Sequence, residues 1–466
     1  MKGEAARGAV VALATLAIVY PALSVAGFIY NESAGVGDWP LKQDQVGYYA
    51  YLPALLTESR WTFEDFVGPR WERFEASGFA GFPRNEETGR RQNVYPPGVA
   101  VLQAPFFALG HVAAFVTRAP RDGLSWPYRL LACLGGAAYA VLGLGLVFVT
   151  LRRDLPEWAG AATVVALGLG TNLLYYGTIE PLMSHAYSFF AFAAAVWAML
   201  AWSETGRARD ALTLGAALGL VVLIRPTNAV LALLPLLFLF MRPRDAGLRW
   251  GDTRDRSRIV GQVLAACGMG FIVTLPLLSY WRFTSGSWIH NPHGAGTFYF
   301  SEPAIGSVLW SYRKGWLVYT PIMGAAVAGL FVVGRYVRGI TLPLAVFAAV
   351  NLYVVSSWWN WWYGGGFGMR ALIESGAPLA LPMASLAATL GTTARRRRRV
   401  WGVISVLAAL NVFQTYQYVM SYIRWDGMTR ETYWAVFLRP YIPEAELAQI
   451  REDLDLGQPR SPRVMP

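Results

Sequence analysis

RRDLPEWAGAATVVALGLGTNLLYYGTIEPLMSHAYSFFAFAAAVWAMLAWSETGRAR occupies residues 152–209, and its reading decides the fold. Two apolar runs, 157–177 and 185–203, lie between Arg152-Arg153 on one side and Arg207 and Arg209 on the other. Each run is close to the roughly 20 residues that a helix needs to cross a bilayer core. Arginines in short loops stay on the cytoplasmic side, so the pair of runs reads as a hairpin that goes out and comes back.

The same grammar extends over the chain. The basic loop 242–258, then Arg335 and Arg338, then the five arginines 395–399 separate further pairs of apolar runs. These are 211–224 with 228–241, 260–281 with 316–334, and 340–357 with 372–390. Parity settles the region near the start. If 8–30, 97–117 and 127–151 all crossed, every later arginine cluster would face outward. The run 97–117, which carries Pro97 and Pro105 and follows Pro96, is therefore expected to lie along or dip into the outer face.

About eleven spans follow, with the N-terminus inside. The expected fold class is an all-α polytopic membrane bundle whose first outer loop forms a cap. Its parts are a first span at 1–30, an extracytoplasmic loop with interfacial helices at 31–126, a bundle at 127–419 with outer loops 282–315 and 358–371, and an outer tail at 420–466. The apolar run 9–29 is longer than a usual signal core and is expected to remain as an uncleaved span.

Composition agrees with this class. Of 466 residues, 55% are hydrophobic and only 15% charged, too apolar for a soluble globule of this length. The net charge of +11 sits largely in short loops between spans, a pattern of membrane orientation that argues against nucleic-acid binding. Cys133 and Cys267 both fall inside apolar runs, where a small buried hydrophobe is the ordinary role.

Ionisable residues are rare near the outer ends of the spans, and those present collect on one side. Asp44 follows the first span in KQDQVGYYAYLPALL, residues 42–56, where Tyr48, Leu52, Leu55 and Leu56 share a helical face suited to the membrane surface. Glu180 and His185 bracket the turn IEPLMSH, and Arg225 breaks the helical pattern at IRPTN. Arg313 and Lys314 precede an apolar run. The segment SSWWNWWYGGGFGMR, residues 356–370, joins an aromatic platform including Tyr363 to a glycine strip including Gly365, and ends on Arg370.

One acid among several cations at a bilayer surface suits sugar transfer from a lipid phosphate. The leaving phosphate needs cations for its growing charge, and Arg can present two donors to it at once. The incoming hydroxyl needs a carboxylate within reach of its proton, and Asp44 is the candidate base. Each residue also has a plainer role: Asp44 can cap a helix or pair with Lys42, Glu180 can cap the segment from Pro181, and Arg225 can reach lipid phosphates. His290 and His293, spaced HNPH, are too few by themselves to specify a metal.

This order of parts resembles the GT-C class of membrane glycosyltransferases, which includes protein O-mannosyltransferases and the aminoarabinose transferase of lipid A. That class places an acid soon after the first span and a second acid in the following outer loop; Asp44 matches the first by location and Glu180 the second. YPPG at 95–98 is similar to the start of the class's last surface helix. The resemblance covers most of residues 1–240. It implies a polyprenyl-phosphate-linked sugar as donor, a glycan, lipid or protein hydroxyl as acceptor, a multi-pass location in the cytoplasmic (inner) membrane and a site on its outer side.

Two departures bear on a divalent metal and on the phosphate. Members often carry adjacent acids where Asp44 is followed by Gln45, and a basic residue before the proline pair is replaced by Asn93-Val94-Tyr95. Phosphate binding then falls to Arg225, Arg313, Lys314 or Arg370. A lipid or solute transporter would show the same span count, but usually with paired repeats and midplane polar groups. A polysaccharide ligase or polymerase using a lipid diphosphate would share the cationic outer loops, and need for a carboxylate base separates it.

Overall fold

The computed structural model describes residues 2–36, 38–57, 63, 81–241, 253–294 and 297–455. The charged loop residues Arg60, Glu64, Asp65, Arg70, Glu72, Arg73 and Glu75 lie outside them, as does most of the basic loop from 242. The described chain is all-helical apart from two isolated bridges.

The N-terminal helix α1 (Lys2–Ser33) is followed by two short helices, α2 (Asp44–Tyr49) and α3 (Tyr51–Thr57). Then come α4 (Gly98–Thr117), α5 (Trp126–Leu151), α6 (Glu157–Gly170), α7 (Leu173–Thr178), α8 (Ser184–Thr205) and α9 (Ala208–Ile224). The second half holds α10 (Leu233–Met241), α11 (Thr253–Ser285), α12 (Ile305–Trp310), α13 (Trp316–Tyr319), α14 (Gly324–Gly329), α15 (Thr341–Ser357), α16 (Gly376–Leu390) and α17 (Ala394–Val419). Two further helices, α18 (Arg430–Val436) and α19 (Glu444–Asp455), follow.

Five of these are long and apolar enough to cross a membrane: Val10–Ser33, Gly98–Thr117, Trp126–Leu151, Ser184–Thr205 and Arg256–Ser285. The chain is a multi-pass membrane protein. Several runs read as single spans are interrupted. Run 157–177 divides at Thr171 into α6 and α7, and 316–334 is a chain of short turns through Pro321.

Small residues let the helices approach closely. A Cβ on Gly215 would stand 2.1 Å from the Ala266 carbonyl oxygen, and one on Gly219 would stand 2.5 Å from that of Gly270, so α9 and α11 touch backbone to backbone. Helix α4 runs antiparallel to the first half of α5. The Tyr139 hydroxyl donates to the Leu102 carbonyl at 2.9 Å, Gln103 Nε2 donates to the Ala132 carbonyl at 2.9 Å, and Phe107 packs on Tyr128 at 5.0 Å. Its other side exposes Leu109, Val112, Phe115 and Val116.

The described part of the first loop packs onto one end of the bundle. Phe63, Phe82, Tyr51 and Tyr280 form a buried aromatic cluster with Val46 and Leu182. The surface face expected over 48–56 is divided here. The helix breaks at Ala50, Leu55 and Leu56 are exposed, and Tyr48 turns inward against Tyr95, ring centroids 4.8 Å apart.

Candidate active site

Two local features deliver the principal cations. Pro226 follows Arg225, and a residue before proline is pushed out of the helical region. Arg225 is accordingly extended (φ −151°, ψ 111°) and ends α9. Arg370 ends the strip 363–370, in which Tyr363, Gly364 and Gly368 all take left-handed backbone (φ 58°, 68° and 56°). The turn at Tyr363 is held by its N–H donating to the Asn360 carbonyl at 2.8 Å and its hydroxyl donating to the Val355 carbonyl at 3.2 Å.

These groups meet around a cavity of about 630 Å³. Of the residues singled out in the sequence, Asp44, His185, Arg225, Tyr363, Gly365 and Arg370 line it. Asp44 Oδ2 accepts from Arg370 Nη2 at 3.0 Å and Oδ1 accepts from the Tyr95 hydroxyl at 2.7 Å. A carboxylate oxygen has room for two acceptor bonds, so each retains capacity toward the cavity. Burial works against the Arg370 charge, but Asp44 together with Tyr176, Glu180 and Tyr48 outweighs burial and holds the guanidinium firmly protonated. Burial and the neighbouring carboxylate raise the Tyr95 phenol well above its ordinary range, so it remains a donor to Asp44.

The second cation rests on a residue not singled out in the sequence. Glu374, 1% exposed, accepts from Arg225 Nη1 at 3.3 Å and from Asn228 Nδ2 at 3.4 Å on one oxygen. His185 Nδ1 lies 3.3 Å from its other oxygen. The signal was present: Glu374 is the lone acid in the apolar run 372–390, where an ionisable group is expensive. Burial and a partner 149 positions away are what single it out.

Glu180, Arg313 and Lys314 stand apart from the cavity. Glu180 pairs with Lys42 at 3.5 Å. Arg313 forks onto Asp426 at 2.7 and 3.0 Å and lies 3.6 Å over the Trp362 ring, while burial, which would raise the Asp426 carboxyl, is overcome by that fork and the carboxyl is held below its usual range. Lys314 is buried under the glycine strip, its Nζ donating to the Gly366 carbonyl and, at 2.6 Å, to that of Trp425; burial pushes its amine down to about 7. Gly366 N–H also donates to the Trp425 carbonyl at 3.1 Å. Residues 425–426, which follow α17, are thereby strapped to the strip that carries Tyr363 and Arg370.

His290 and His293 both line the cavity, and burial lowers both imidazoles below their ordinary range. His290 Nε2 lies 3.0 Å from Gln92 Oε1, and His293 packs edge-on to Trp358. Gln45 is turned away, accepting from the Leu182 N–H at 3.2 Å. Among the described residues no three His, Cys, Asp or Glu side chains gather where they could hold one cation.

No family model and no curated protein matches the chain in sequence. In fold it is similar to the Archaeoglobus fulgidus oligosaccharyltransferase in the apo form, with a TM-score of 0.50 and 13% identity over 97% of this chain and 60% of that one. It is also similar to the archaeal oligosaccharyltransferase AglB of the same organism in complex with an inhibitory peptide and a dolichol-phosphate (TM-score 0.48, 12% identity, 97% and 60% covered). ArnT from Cupriavidus metallidurans bound to undecaprenyl phosphate is a further neighbour (TM-score 0.45, 15% identity, 87% and 64% covered). The chain has a GT-C-like fold and spans about 60% of the length of the first of these structures.

Proposed function

We propose that this chain is an integral membrane glycosyltransferase that moves a sugar from a polyprenyl-phosphate donor to an acceptor hydroxyl at the outer face of the cytoplasmic membrane. The observation that carries this reading is one cavity of about 630 Å³ onto which a carboxylate, Asp44, and two guanidiniums, Arg225 and Arg370, all open. The aromatic wall of Trp358, Trp359 and Tyr363 offers flat apolar faces to a sugar ring.

In this reading the acceptor oxygen bonds to the anomeric carbon while its proton passes to Asp44. The bond from that carbon to the phosphate oxygen breaks, and its electron pair leaves on the lipid phosphate, held by Arg225 and Arg370. Attack from the face opposite the phosphate inverts the anomeric centre. Helix α4 is read as dipping into the outer leaflet beside the first half of α5, the first loop as a cap, and the bundle as about eleven spans. Glu180 belongs to the ion-pair shell behind Arg370, and Arg313 and Lys314 serve by fixing the strip.

Mass spectrometry of surface lipids and glycans tests the reading. A strain lacking this chain should lose one glycosylated species, which the wild-type chain restores and Asp44→Asn does not, at equal expression. Restoration by Asp44→Asn removes the base, and uptake or flipping by reconstituted protein without a glycan product replaces the enzyme by a transporter.

A further inference from the structure

A carboxylate buried to 1% exposure inside an apolar bundle needs a reason. Desolvating it is unfavourable by several kcal/mol unless its partners compensate, and leaving one partner unpaired is worse still. Glu374 has three partners, and all three line the cavity. Arg225 Nη1 and Asn228 Nδ2 reach one oxygen, at 3.3 and 3.4 Å, and His185 Nδ1 faces the other at 3.3 Å. Arg225 Nη1 is also 3.4 Å from His185 Nδ1, so the three side chains form a closed triangle. Glu374 itself does not border the cavity.

The turn that carries Glu374 is fixed from both sides. The Ala377 N–H donates to its carbonyl at 3.2 Å, and Asn351 Nδ2 donates to the adjacent Ser375 hydroxyl at 2.9 Å. Arg225, by contrast, leaves its helix on an extended backbone, and its ring neighbour is Tyr363, 5.9 Å from the guanidinium carbon. An arginine so placed has many rotamers, and its carboxylate partner is Glu374.

We propose that Glu374 is a positioning residue for anion binding. It holds Arg225, through one guanidinium nitrogen, so that the remaining donors face the lipid phosphate, and it orients His185 beside them. This rests on the reading of the cavity as a lipid-phosphate site and adds to it a residue with no contact to the ligand.

The idea makes a prediction opposite in sign to simple electrostatics. Removing a negative charge next to Arg225 should strengthen binding of an anion if charge alone mattered. Positioning predicts the reverse. The full chain in nanodiscs is titrated with undecaprenyl phosphate and, as the uncharged control, undecaprenol, following quenching of tryptophan fluorescence. Glu374→Gln should weaken undecaprenyl phosphate about tenfold or more and leave undecaprenol unchanged. Arg225→Ala should weaken the phosphate at least as much, and the double variant no further than Arg225→Ala alone, because the two act as one unit.

Equal or tighter phosphate binding by Glu374→Gln overturns the inference, as does an equal loss for both lipids, which marks a purely structural role. Where Glu374→Gln gives no cooperative melt, Glu374→Asp keeps the charge and draws it back by about 1.5 Å. That variant should lose phosphate affinity severalfold, and wild-type affinity in it also overturns the inference. A wild-type chain that does not distinguish undecaprenyl phosphate from undecaprenol removes the lipid-phosphate reading itself, a separate result.

Discussion

Gly47→Ala is the sharpest test of how Asp44 is held. Gly47 sits on α2 three residues from Asp44, facing the ring of Tyr95. A Cβ there would stand 1.9 Å from Cδ2, 2.6 Å from Cε2 and 2.8 Å from Cγ of that ring, whereas ordinary contact begins near 3.4 Å. The ring must therefore retreat by about 1.5 Å, the gap between those two distances. Its backbone cannot follow freely, since the Tyr95 carbonyl accepts from the Tyr51 hydroxyl at 2.6 Å and its N–H donates to Asn93 Oδ1 at 3.0 Å. The ring swings instead, and the hydroxyl that donates to Asp44 at 2.7 Å passes beyond hydrogen-bonding reach, about 3.5 Å. Overpacking of this kind destabilises by about 1–3 kcal/mol, and a misplacement near 1 Å at a reacting group lowers rates by about 10²-fold. The assay is the initial rate of sugar transfer in membranes supplied with their own polyprenyl-phosphate sugars, alongside a thermal melt. Tyr95→Phe, which keeps the ring and removes the hydroxyl, should lower the rate about tenfold with little change in melting. Wild-type turnover in Gly47→Ala would refute the claim that Tyr95 positions Asp44.

Arg370→Ala should raise the donor concentration needed for half-maximal rate by tenfold or more and leave the Asp44 carboxylate without its guanidinium partner; unchanged donor kinetics would place the phosphate elsewhere. Asp426→Asn should break the fork from Arg313, weaken the strap by about 1–2 kcal/mol and make the tail beyond 424 more readily cleaved by protease, which an unchanged digestion pattern would contradict. Lys314 gives a pH signature. Its folded amine titrates near 7 and the unfolded one near roughly 10.4, so between these values the unfolded chain binds more protons and stability climbs with pH. Below about 7 both states are protonated and the burial penalty is constant. The melting temperature of wild type relative to Lys314→Met should therefore rise from about pH 7 to 10, and a pH-independent difference would disprove it.

Much of this molecule is legible in one dimension. Hydropathy runs and arginine clusters identify a multi-pass helical membrane protein, because a helix satisfies its own backbone and each span carries its own length and flanking charge. The gathering of Asp44, His185, Arg225, Tyr363, Gly365 and Arg370 could be anticipated for a related reason: ionisable and flexible residues at one end of the spans have few places to go. Pro226 after Arg225 marks a helix end in the sequence alone. Helix interruptions such as the one at Thr171 were less legible, since apolar residues continue through the break.

Tertiary structure alone decided the pairings. Asp44 and Arg370 are 326 positions apart, and Glu374 finds Arg225 and Asn228 from 149 and 146 positions away. No local pattern separates Arg225, which opens on the cavity, from Lys314, which is spent on two carbonyls beneath the glycine strip. Residue type and spacing determine which groups sit near the ends of the apolar runs. Which of them face one another depends on helix rotation and on close backbone approach, and these are settled only when all the helices pack together.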